Sequence, residues 1–202
     1  PYIAIVPELL QLYPDARIIY LVRDGRDVTN SFIATRWHGP GVWANSREWV
    51  SAARRFAALA ADSTIAGQIL RVRYEDLVTD TESVTATVCA FLGIQPEPAM
   101  LVWGADDSGI VPDRESHAHT KLARRPRESD LYRWRESSSR GRIFLLESYM
   151  RGELEREGYP LRFSSGLWIP LQKLTALLAP IGSRLYRSTV WRIRSKPESA
   201  AE

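Results

Sequence analysis

The run Arg17-Ile18-Ile19-Tyr20-Leu21-Val22-Arg23-Asp24-Gly25 constrains this chain more than any other stretch. A string of β-formers ends abruptly in a charged glycine turn, and a helical pattern takes over from about 25 to 36. An arginine at the end of a buried strand, facing a helix N-terminus, is placed to hold a dianionic phosphate. Its guanidinium offers a planar fork of donors. The first helical turn would add free backbone N–H groups and the positive end of the helix dipole. Ser31 follows Arg23 by eight residues, about two helical turns, so its hydroxyl could donate to the same anion.

The remaining pattern is that of an α/β protein. Ile3, Val6, Leu9 and Leu10 recur at helical spacing before Tyr13-Pro14-Asp15 punctuates the chain. Ser46 is the expected cap of a long Ala-rich helix running to about Ala61. Ile69-Leu70-Arg71-Val72-Arg73-Tyr74 alternates as a second strand, and Asp80 or Thr81 opens a helix that Gly93 stops. Helices alternating with strands in this way predict a mostly parallel sheet with helices on both faces.

Three segments resemble the PAPS-dependent sulfotransferases. Pro14 through Ser31 is similar to that family's 3′-phosphate-binding segment, which implies that Arg23 and Ser31 grip the 3′-phosphate of the sulfate donor. Val72-Arg73-Tyr74-Glu75-Asp76-Leu77, with the later Phe91-Leu92-Gly93, resembles the family's Tyr-Glu-Asp-Leu strand and Phe-Leu-Gly helix. The likeness places Tyr74 near the adenine, where a tyrosine can stack and offer its hydroxyl. Glu75 and Asp76 look like a carboxylate pair for acid–base work, but capping the turn and pairing with basic neighbours suits them better. The third segment is looser. His117 through Pro126, then Tyr132-Arg133-Trp134-Arg135 and a helix ending Leu154 to Pro160, resembles the region where a basic loop closes over the 3′-phosphate. Lys121, Arg124 and Arg125 are the candidates for that lid, and His117 and His119 fit surface or substrate-rim positions.

The resemblance implies an incomplete P-loop-type three-layer fold over 1–160, followed by a basic amphipathic extension over 161–202. It also implies sulfuryl transfer from PAPS, without a metal, to a hydroxyl or amine of a small-molecule, glycan or lipid acceptor. This chain carries no Gly-rich Lys-[Ser/Thr] loop for the 5′-phosphosulfate. The family's Glu-Lys-Thr element, with its general base, would fall just before Pro1, so the expectation is a fragment with no assignable catalytic residue. A non-catalytic nucleotide- or anion-binding module and a P-loop kinase relative are the alternatives. Trp37, His38, Trp43 and Trp49 suggest an aromatic-lined approach for the acceptor, and core packing accounts for them equally well.

Charge and cysteine usage narrow the setting. The net charge is only +3, yet residues 114–142 hold nine Lys/Arg against four Asp/Glu. Such a concentration suits an anionic ligand or surface, and no nucleic-acid-binding module is recognisable. The single cysteine, Cys89, lies in an apolar run and reads as a core residue, consistent with a reducing, cytoplasmic location. No metal-ligand spacing is present. Residues 164–196 mix Trp and Leu with Arg184, Arg187, Arg192 and Arg194. That mixture suits either a helix lying on an anionic membrane or a helix docked on the parent domain with its arginines reaching outward.

Overall fold

A computed structural model describes residues 2–35, 41–102 and 126–194, the last segment with side chains as far as residue 181. The elements in chain order are α1 (Val6–Leu12), β1 (Ile18–Val22), α2 (Gly25–Ala34), α3 (Val42–Ala61), β2 (Ile69–Arg73), α4 (Tyr74–Thr79), α5 (Thr81–Leu92), α6 (Trp134–Ser137), α7 (Arg140–Arg156) and α8 (Trp168–Arg194). Strands β1 and β2 pair in parallel, with Ile18 opposite Ile69 and Val22 opposite Arg73. The fold is therefore mostly helical around a small parallel sheet, the α/β class the sequence predicts.

Strand periodicity decides which side chains go where. Tyr20 and Val22 face α3: Tyr20 stacks on Phe56 with ring centroids 4.2 Å apart, and Val22 joins Trp49, Val50, Ala53, Leu146, Met150, Leu154 and Tyr159 in the main core. The opposite face of β2 meets α5, whose Cys89 is buried as expected. On β1 that same face leaves Ile19 and Leu21 exposed. Asp80 caps α5 by accepting from the Ser83 N–H, and Gly93 ends it in a left-handed conformation with φ 74°.

Two boundaries differ from the sequence reading. Helix α3 begins at Val42, with Gly41 as its N-cap, and Ser46 is buried inside it rather than capping it. Tyr74 does not end a strand; the chain turns directly into α4 at that residue.

Helix α7 holds the molecule together through acids. Glu147 pairs with Arg26 of α2, Glu153 with Arg54 of α3, and Glu157, just beyond the helix, with Arg71 of β2, at 2.7, 2.6 and 2.7 Å. Among the described residues no helix is long and apolar enough to cross a membrane.

Candidate anion site at the ends of the parallel strands

Parallel pairing brings the carboxyl ends of β1 and β2 side by side, the place where open α/β sheets bind ligands. Arg23 leaves the end of β1 and Tyr74 follows β2, and the Arg23 guanidinium carbon sits 4.7 Å from the Tyr74 ring centroid. The structure thus joins two of the residues singled out in the sequence. A guanidinium over an aromatic face is held in place without losing its charge.

The rest of the Arg23 environment comes from far along the chain. One terminal nitrogen donates to the Asp130 carbonyl at 2.8 Å and lies 3.6 Å from the Asp27 carboxylate. Its Nε–H is buried and finds no acceptor among the described residues. Tyr132 adopts φ 52°, an uncommon left-handed conformation for a residue with a Cβ. That turn sits between Asp130, which meets Arg23, and Trp134, whose backbone N–H donates to Asp27 at 2.8 Å.

Asp27 competes for Arg23. Burial pushes its carboxyl above the usual 3.8, against the lowering effects of the Trp134 N–H and the Arg23 charge. The helix N-terminus offers less than the sequence suggests. Asp24 caps α2, its carboxylate accepting from Arg26 N at 2.9 Å and its carbonyl from the N–H groups of Asp27 and Val28. These three N–H groups are not free for a ligand, because a buried acid already occupies the positive end of the dipole.

Below this turn lies a cluster of buried charges. Arg26 is fully buried and forms a fork onto Asp24, with Nε to Oδ1 at 3.0 Å and the second nitrogen to Oδ2 at 2.7 Å. Its other terminal nitrogen donates to Glu147 at 2.7 Å and to the Pro160 carbonyl at 2.9 Å. Trp134 covers the guanidinium at 3.8 Å and donates its indole N–H to Asp24 at 3.0 Å. Burial alone would lower the Arg26 pKa; its hydrogen bond to Asp24 and the charges of Asp24 and Glu147 outweigh that and hold it above the usual arginine value.

Glu75 is structural, as the sequence favours: it accepts from Asp24 N at 2.9 Å and from the Tyr159 hydroxyl at 2.9 Å. Trp49 is a core residue whose indole N–H donates to the Arg23 carbonyl at 3.0 Å, and Trp43 packs edge-on against Tyr149. Ser31 is an exposed residue of α2, one i+4 step beyond the buried Asp27, whereas Arg23 precedes the helix. Lys121, Arg124 and Arg125 lie outside the described residues, as do His117, His119, Trp37 and His38.

Arg73 is the residue that sequence reasoning passed over. It ends β2 as Arg23 follows β1, stacks on Tyr159 at 4.7 Å, and its Nε is also buried without a hydrogen-bond partner. The rule that selected Arg23, an arginine at a strand's carboxyl end, would have selected it.

Comparison with known proteins bears on the fold and the family. Residues 1–98 match the profile described as Sulfotransferase family. The fold is similar to the sulfotransferase domain from the curacin biosynthetic pathway, with a TM-score of 0.61 and 21% identity over 79% of this chain and 59% of that one. It is also similar to the sulfotransferase domain of the Synechococcus PCC 7002 olefin synthase, with a TM-score of 0.64 and 26% identity over 79% of this chain and 55% of that one. The chain therefore spans less than two thirds of either domain's length. No curated protein sequence matches it.

Proposed function

From a chain whose residues 1–98 carry the sulfotransferase-family pattern, we propose that this protein contributes the 3′-phosphate side of a PAPS site in a sulfotransferase acting on a hydroxyl or amine. The observation that carries the reading is Arg23: a half-buried guanidinium at the end of a parallel pair, braced on Tyr74, with its Nε–H unpartnered among the described residues. An orphaned donor beside a strand end fits a phosphate oxygen, which accepts charge-assisted hydrogen bonds in a fork.

When bound, PAPS supplies the sulfuryl group. The residues of this chain bind and orient. Arg23 takes the 3′-phosphate, Ser31 adds a hydroxyl donor from α2, and Tyr74 borders the adenine. The basic segment with Lys121, Arg124 and Arg125 belongs to the same proposal as a closing element. Such contacts are remote from the reacting sulfur and serve by positioning and binding energy. The acceptor, whether small molecule, glycan or lipid, would approach from the sulfate side.

Calorimetric titration with adenosine 3′,5′-bisphosphate and with ATP tests this. The bisphosphate binds more tightly, and Arg23→Ala weakens it tenfold or more, since losing a charge-assisted bond costs about 1.5–3 kcal/mol. Equal affinity for ATP would favour a kinase relative, and an Arg23→Ala variant that binds the bisphosphate unchanged would remove the assignment.

A further inference from the structure

Helix α8 is amphipathic in two directions. Toward the body, where it meets α7 and α3, it buries Gln172 and Ala179, with Gln172 accepting from Arg151 of α7. Trp168 packs edge-on to Phe144 and Phe163, with centroids 5.8 and 5.2 Å away. The sequence left docking on the parent domain and membrane contact as alternatives, and the first of these accounts for one face of the helix.

The other face is apolar and, among the described residues, exposed. Leu171, Leu174, Leu177, Leu178 and Ile181 are between 47% and 73% exposed. At 3.6 residues per turn they share an arc of about 120°, roughly opposite Gln172 and Ala179. Leu167, just before the helix, is 89% exposed. Leucines do not stay in water on one side of a docked helix without a partner.

Charge indicates the partner. Residues 168–194 contain Lys173, Arg184, Arg187, Arg192 and Arg194 and not one Asp or Glu. Lys173 is the one charge within the leucine stretch and the four arginines follow it at 184–194, so an anionic bilayer would offer apolar depth to the first part of the helix and negative charge to the second. The helix is too polar to cross a membrane, so it would lie in the plane of the interface. We infer that the outer face of α8 seats the protein on an anionic lipid surface. This reading does not depend on the donor site, which lies on other elements.

Sedimentation of the full chain with vesicles tests it. Partition is expected to be at least tenfold greater onto phosphatidylcholine vesicles containing phosphatidylglycerol than onto phosphatidylcholine alone, and to fall as salt is raised. Leu174→Glu with Leu178→Glu abolishes it without changing the circular dichroism spectrum, because both side chains are already exposed. Arg184→Gln with Arg187→Gln, which leaves the leucines in place, weakens binding to anionic vesicles alone. The inference is overturned by absence of partition, by equal partition onto both vesicles, or by a leucine pair variant that still binds. It is overturned also if the wild type self-associates, fails to bind vesicles, and becomes monomeric in that variant; the stripe would then meet a second copy.

Discussion

Arg23 is a cation with a carboxylate already at hand. Asp27 lies 3.6 Å away, one helical turn on, and accepts the Trp134 N–H through its other oxygen. A phosphate arriving at Arg23 must share it with that negative charge. Asp27→Asn keeps the acceptor for Trp134 and removes the competitor, so affinity for adenosine 3′,5′-bisphosphate rises several-fold. Titration calorimetry of the variant reads this, and a weaker complex would mean that Asp27 serves the ligand. Stability moves with the same residue. Burial raises its folded-state pKa above 3.8, so the folded protein binds the proton more tightly than the unfolded chain. That favourable contribution is present below 3.8 and is lost as pH rises through the folded value; Asp27→Asn flattens this part of a urea-midpoint profile across the acidic range. Arg23 was legible because a strand-end arginine is a pattern in one dimension. Asp27 was not, since its burial depends on Trp134, 107 residues away.

At the scale of the element, the β1–α2 turn is shaped by one close approach. A Cβ on Gly25 would stand 2.6 Å from the Trp49 ring. The ring has little freedom to withdraw, being buried in the core and tied through its N–H to the Arg23 carbonyl. Gly25→Ala therefore costs about 1–3 kcal/mol as overpacking, measured by chemical denaturation, and weakens bisphosphate binding by displacing Arg23. Unchanged stability would show that α3 slides away freely. The strand, the glycine turn and the helix after it could all be read from β-formers, Gly25 and apolar spacing. The start of α3 could not. Ser46 looks like a cap, but it is buried within the helix, a placement set by tertiary packing that local spacing does not encode. The occupied first turn of α2 was equally hidden, because Asp24 acts as cap and as counterion at once.

Across the whole molecule, α7 is the member that earlier elements fasten to, and its ion pairs are unequal. Glu147 is fully buried and also accepts the N–H groups of Arg162 and Phe163 at 2.8 and 2.9 Å. Glu147→Ala strips a buried guanidinium of one of its two carboxylates and leaves two N–H groups open, which costs about 3–5 kcal/mol. Arg54 of the Glu153 pair is two-thirds exposed, and Arg54→Ala stays within about 1 kcal/mol. Urea unfolding of the two variants measures the contrast; equal losses would mean that burial does not rank these pairs. Fold class was legible from the alternation of elements. The role of α7 was not, because glutamates along a helix ordinarily read as a solvated face.

The Asp24–Arg26–Glu147 cluster also bears on inheritance. Two of its charges lie within the segment that carries the family pattern and the third lies well beyond it. A recombination event that joined residues 1–98 to the C-terminal helices of a distant relative would separate a buried arginine from one of its counterions. A single substitution at any of these three positions leaves a buried charge short of a partner, so an exchange of the N-terminal half keeps the cluster whole where the incoming C-terminal helices supply the matching acid.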